Sequence, residues 1–213
     1  MKPYFLLLSL FLIPALACST TGLAESLVSS GSVLYQDIFS NPQSGWGEFN
    51  SVPGIAGYKD GAYRIMVGQP DTNLWTHPGM NFASVRTEVS LMTPAGPLTN
   101  RMGLICRLKD EQNFYFFVIS ADGNFGIGKV KDGQAAWLSG EKMQLNDAIL
   151  TGSQINRLRA DCVDSTLSFY VNNTLVATVL DATFPNGDVG ILAGTFEQPG
   201  ADVYFDNFVA IKP

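Results

Sequence analysis

From residue 33 to residue 213 the apolar positions do not recur at the three-and-four spacing of an amphipathic helix. They alternate with polar positions in short runs rich in Val, Ile, Thr, Phe and Tyr, and each run stops at Gly, Asp or Asn. The rhythm predicts strands over 33–39, 62–67, 72–76, 84–92, 100–109, 113–120, 124–130, 134–138, 154–162, 165–171, 174–180, 187–195 and 201–211. Roughly thirteen such runs, spaced by roughly 8–12 residues, predict an all-β fold with little helix, built as two antiparallel sheets or a barrel. Turn chemistry agrees. Asp60-Gly61, Asp122-Gly123, Asp132-Gly133, Asn172-Asn173 and Asn186-Gly187 accept the positive φ of tight turns. The one stretch that reads as a short helix or loop is 141–153. With no internal repeat or linker, 33–213 reads as one domain.

The hairpins predict which side chains share a face. If Asp122-Gly123 is a two-residue turn, Ile119 opposes Gly126 and Phe117 opposes Gly128. If 109–113 closes the preceding hairpin, Arg107 opposes Tyr115. One face is then apolar core, made of Leu104, Cys106, Leu108, Phe114, Phe116, Val118, Phe125 and Ile127. The other carries Ile105, Arg107, Tyr115, Phe117, Ile119, Gly126, Gly128 and Val130. That second face predicts a shallow ligand groove over Gly126 and Gly128, walled by Arg107 and Tyr115. The alternative is a bulge or tight packing at the glycines, with Arg107 in solvent. The whole assignment depends on register, because a slip of one residue exchanges the faces of a strand.

Residues 1–17 have a different pattern. Lys2 precedes an apolar run from Tyr4 to Ala17, broken by Ser9 and Pro14. This is the length of a signal segment and short of the ~20 residues needed to span a bilayer. The run ends Ala15-Leu16-Ala17-Cys18, which resembles a bacterial lipobox, with Ala15 where the usual pattern has Leu. The resemblance implies that Cys18 becomes the mature N-terminus and carries lipid, placing the protein in the cell envelope, facing periplasm or exterior. More than one acyl chain is needed for stable anchoring. The alternative is an ordinary secretory signal. Residues 18–32 then form the lipidated Cys and a Ser/Thr-rich tether with a reach of about 20 Å. Cys106 and Cys162 remain. Both fall at inward strand positions in an oxidising compartment, so they form either a disulfide or two buried thiols.

The runs D-x-F…W, G-L-I-C-R, N-F-Y-F-F-V-I-S-A-D-G-N-F-G-I-G-K, N-R-L-R-A-D-C, L-S-F-Y-V-N-N-T-L-V, G-D-V-G-I-L-A-G and F-D-N-F-V together resemble a concanavalin A-like jelly roll. In particular they are similar to extracytoplasmic domains of the 3-keto-disaccharide hydrolase and laminin-G-like families. The likeness implies a two-sheet antiparallel jelly-roll sandwich over 33–213, with the first and last strands side by side. It also implies that Asp37 and Asp206 can seed a structural calcium site, which needs six to eight oxygens. Otherwise the two side chains accept backbone N–H bonds at sheet edges. The fold hosts many functions, so the likeness does not choose among them.

Composition and charge narrow the chemistry. Thirteen Lys plus Arg stand against nineteen Asp plus Glu, a net charge of −6, so the basic footprint of a nucleic-acid binder is missing. There is no P-loop and no G-x-G-x-x-G ahead of a helix, so nucleotides are not expected partners. The single His, His77, has no G-x-S-x-G to serve, and no His/Cys cluster suits zinc. The E-x-D-x-x-E string of jelly-roll glucanases is absent, and Glu88 has no carboxylate neighbour on its strand face. No cofactor is required. Trp46, Trp75 and Trp137 lie in turn-rich or short-strand segments, where a ring either packs in the core or stacks on a sugar. Trp75 and Trp137 join Arg107, Tyr115, Gly126 and Gly128 as ligand-binding candidates. The expected function is recognition of a glycan or other surface ligand without catalysis. The alternatives are a hydrolase of the 3-keto-disaccharide type and an adhesion module that binds a protein.

Overall fold

The computed structural model describes residues 31–213. The signal segment, Cys18 and nearly all of the tether lie outside the described residues. In chain order the strands are β1 (Val33–Asp37), β2 (Phe49–Ser51), β3 (Gly54–Lys59), β4 (Ala62–Val67), β5 (Asn73–Thr76), β6 (Val85–Ala95), β7 (Asn100–Asp110) and β8 (Asn113–Ile119). They continue with β9 (Asn124–Lys131), β10 (Gln134–Trp137), β11 (Gln144–Leu145), β12 (Asn156–Val163), β13 (Thr166–Val171), β14 (Thr174–Leu180), β15 (Asp188–Thr195) and β16 (Ala201–Ile211). No helix forms among the described residues. Every predicted run is a strand. The pattern missed β2, β3 and β11. Phe49-Asn50-Ser51 and Gly54-Ile55-Ala56-Gly57 have few β-branched residues, and β11 is two residues inside the 141–153 loop.

Two antiparallel sheets face each other. The first runs β14-β13-β12-β6-β16-β4-β3-β2, with β1 paired to the far half of β16. The second runs β10-β9-β8-β7-β15-β5, with β11 on β9. The chain crosses between sheets at β4–β5, β5–β6, β6–β7, β11–β12, β14–β15 and β15–β16, so neither sheet can form alone. Strands of the first sheet alternate, as a sheet with one wet face must: Val85, Thr87, Val89 and Leu91 point inward from β6, and Leu158, Ala160 and Cys162 from β12. In the second sheet β15 is buried at all eight positions and β7 from Met102 to Leu108. Its outward side is therefore covered too. Cys106 of β7 and Cys162 of β12 form a disulfide that ties the sheets through the core, with Cα atoms 6.8 Å apart.

The structure corrects the predicted register of β8. Ala121, Asp122 and Gly123 form a three-residue loop closed by Ser120 and Asn124, with Gly123 at φ 95°. Ile119 therefore opposes Phe125, and Phe116 opposes Gly128. On the other side Cys106 opposes Tyr115, and a bulge follows before Asp110 meets Asn113. Arg107 sits in the bulge at φ 53°, so Cys106 points into the core while Leu108 points out. The core face is Leu104, Cys106, Tyr115, Phe117, Ile119, Phe125 and Ile127. The outer face takes Ile105, Leu108, Phe114, Phe116, Val118 and Val130. The prediction holds for β9 and the first half of β7 and is inverted for β8.

Candidate functional site

The outer face of the second sheet is a layer of aromatic side chains. Trp75 on β5 contacts Phe114 on β8, ring centroids 5.3 Å apart. Phe114 contacts Phe116 at 6.5 Å, and Phe116 meets Trp137 on β10 edge-on at 5.3 Å. The chain of rings crosses the sheet from edge to edge. Alternation explains it locally: Leu74 packs inward, so Trp75 points outward, while Phe114 and Phe116 alternate with the inward Tyr115 and Phe117. Trp75, Phe116 and Trp137 remain partly open to solvent. Between them lies a groove of about 340 Å³, edged by Asn73, Arg101, Glu111 and Phe196.

Gly126 and Gly128 belong to this face but do not form its hollow. A Cβ on Gly126 falls 2.5 Å from the Trp137 ring, and one on Gly128 collides with Phe116. The glycines are bare so that the two rings can lie down on the strand. The space left on β9 is filled by aromatic surface, which becomes the floor of the groove.

Arg107 and Tyr115 are not its walls. Both side chains turn to the core side, where Arg107 is 1% exposed and Tyr115 fully buried. The Arg107 guanidinium donates to the Phe184 carbonyl at 2.9 Å, and its Nε has no partner. Tyr115 donates to Asp181 Oδ1 at 2.6 Å and accepts the Phe184 N–H at 3.0 Å. Lys129 Nζ reaches Asp181 Oδ2 at 2.6 Å. Burial works against the Asp181 carboxylate, yet Lys129, Thr183 and Tyr115 together hold its pKa well below the ordinary carboxylate range. Burial, reinforced by the Asp181 carboxylate, pushes the Tyr115 phenol up. Burial also lowers the Arg107 pKa. This cluster closes one end of the core and leaves the groove to other residues.

Arg101 supplies the cation that the groove was expected to draw from Arg107. Its guanidinium lies 4.2 Å over the Phe196 ring and donates to the Thr195 carbonyl. Its Nε is buried without a partner, and burial lowers its pKa. Among the described residues Glu111 is the one carboxylate lining this central groove, so no described pair of carboxylates faces across it. Phe114, Phe116, Arg101 and Phe196 were missed by sequence reasoning. The density of rings in Asn113-Phe114-Tyr115-Phe116-Phe117 was the available signal, and either alternate set could have faced outward.

The remaining candidates lie elsewhere. Trp46 is buried among Phe39, Tyr63 and Phe208. His77 Nδ1 sits 2.7 Å from Asp188 Oδ2, a carboxylate that also accepts the N–H of Gly79 and Val189; this hydrogen bond raises the His77 pKa. Glu88 is paired with Arg157 on the outer face of the first sheet. Asp37 and Asp206, the calcium candidates, lie on opposite sides of the first sheet. Asp37 shares the inward side of β1 with Tyr35 and accepts the Phe39 N–H at 2.7 Å. Asp206 points outward from β16 with Asp202 and Tyr204 and accepts the Asn207 N–H at 2.7 Å. Among the described residues no group of three or more His, Cys, Asp or Glu side chains gathers.

No protein-family model matches the sequence, and comparison with curated proteins finds no match. Solved structures do match. The chain is similar to carbohydrate-binding module CBM66 from Bacillus subtilis, at 16% identity and a TM-score of 0.64, covering 79% of this chain and 96% of that one. It is similar to a Bacillus subtilis protein of unknown function with a galectin-like fold, at 11% identity and a TM-score of 0.63, covering 86% and 97%. It is also similar to a GlcNAcα1-4Gal-releasing endo-β-galactosidase from Clostridium perfringens, at 8% identity and a TM-score of 0.60, covering 87% of this chain and 64% of that one. At these identities the likeness shows the fold. The chain is an all-β, two-sheet antiparallel jelly-roll sandwich.

Proposed function

We propose that this protein is a lipid-anchored, extracytoplasmic binding module that holds a glycan on the outer face of its second sheet and does not cleave it. The observation that carries the reading is the chain Trp75–Phe114–Phe116–Trp137, an aromatic floor left partly open to solvent across the outer face of the second sheet. Sugar rings present C–H faces that stack on such surfaces, while hydroxyls pair with groups such as Asn73, Arg101 and Glu111 at the edge. Similarity to a carbohydrate-binding module supports the reading at the level of fold. A hydrolase of the usual two-carboxylate kind needs a pair across the scissile bond; among the described residues Glu111 is the one carboxylate beside the aromatic floor, and Glu48, Asp110 and Asp188 line the hollow beyond Trp75.

A glycan array followed by product analysis tests the reading. Binding without product is expected; release of product from a bound glycan overturns it in favour of the hydrolase. A blank array with a stable protein partner captured from the envelope favours the adhesion module. The anchor is tested separately. Cys18→Ser is expected to release the protein from membranes, and unchanged fractionation refutes the lipid.

A further inference from the structure

The aromatic groove does not stop at its two tryptophans. Past Trp75 lies a second hollow that shares Trp75 and Glu111 with the first and adds Glu48, His77, Lys109 and Asp110. Past Trp137 lies a third that shares Trp137 and Phe196 with the first and adds Asp71, Thr99, Asp122 and Lys142. The three hollows therefore adjoin, and each neighbouring pair shares an indole. The two end hollows take residues from opposite ends of β8: Glu111 lies ahead of its first residue and Asp122 beyond its last. The seven residues of that strand extend about 23 Å at ~3.3 Å per residue, before either end hollow is counted.

We infer that this surface binds an internal stretch of a linear, uncharged glycan, with sugar units on both sides of the central groove, rather than one terminal sugar. The inference rests on the glycan reading above and deepens it. Two features carry it. First, each neighbouring pair of hollows shares an aromatic side chain, Trp75 at one junction and Trp137 with Phe196 at the other, a stacking surface that a continuous chain can cross. Second, both ends are acidic. Glu48, Asp110 and Glu111 stand against Lys109 at one end, where Asp188 is paired with His77. Asp71, Asp122 and Glu197 stand against Lys142 at the other. A uronate or sulfate polymer laid along this path would meet like charge at both ends. Arg101, in the middle, is already seated on Phe196 and the Thr195 carbonyl.

Calorimetric titration of the full chain tests this, using neutral gluco-, xylo-, galacto- and fructo-oligosaccharide ladders of one to six units, with polygalacturonate as the charged probe. For the ladder that binds, affinity is expected to rise at least tenfold from the shortest to the longest oligomer. Trp75→Ala and Trp137→Ala are each expected to weaken the longest oligomer more than the disaccharide. Affinity independent of length overturns the inference and leaves the glycan reading intact, and so does tighter binding of polygalacturonate. No binding by any ladder, together with a blank array, overturns both.

Discussion

The outer faces of the two sheets solve the same problem differently. On the first sheet, several outward side chains are charged and pair with one another. Arg64 pairs with Asp202, Arg86 and Arg159 share Asp161, and Arg157 pairs with Glu88. Arg159 also lies 4.2 Å over the Tyr170 ring. On the second sheet, outward positions are Trp, Phe, Val, Leu and Gly, and Arg101, at the groove edge, forms no ion pair. The charged groups named on the first face already have partners. The second face leaves aromatic surface and polar edges that a ligand can complete. One fold thus carries a wall of paired charges and an aromatic wall, and the difference lies in what alternates with the inward residues.

The disulfide joins the two walls, and breaking it should disturb both. Replacing Cys106 and Cys162 together with Ala is expected to cost about 2–5 kcal/mol by urea unfolding, since the bridge closes a loop of sequence separation 56. An unchanged midpoint refutes the bond. A sharper contrast comes from Gly126→Ala. The new Cβ must displace the Trp137 ring, so affinity for the bound glycan is expected to fall tenfold or more, about 1.4 kcal/mol, because the floor itself moves. Full affinity in a folded variant would remove Trp137 from the site.

Lowering pH separates the core-closing cluster from both faces. The folded-state pKa of Asp181 lies below its ordinary 3.8, so its pairing contributes stability above that pH and loses it as pH falls further. Asp181→Asn is expected to flatten the acid limb of a Tm-against-pH curve; an unaltered limb contradicts this. The smallest effect belongs to the wall of paired charges. Arg157→Ala should change stability by under about 1 kcal/mol and leave glycan affinity untouched, as an exposed ion pair predicts. A loss of affinity would mean that the first face also takes part in binding.

Much of this architecture was legible. Alternation in Val85–Leu91 or Leu167–Val171 requires one wet face and one dry face, and a slip would bury charge such as Glu88. Asn172-Asn173 and Asp132-Gly133 mark their turns by residue type. The candidate site was only half legible. Trp75 and Trp137 were selected as large rings in short strands, and the structure brings both to one groove. Arg107 and Tyr115 were placed there by a register that the protein does not use. In Phe114–Ile119 every position is apolar, so either alternate set satisfies the pattern, and nothing local marks a positive φ at Arg107.

The sequence by itself therefore determined the strands, most turns and the all-β class, because these follow from residue type and near-neighbour spacing. Only the tertiary structure decided which face of β8 meets water. That choice depends on a three-residue loop at 121–123, a bulge at Arg107 and partners far away in the chain, and a shift of one residue there moves the aromatic floor from core to surface.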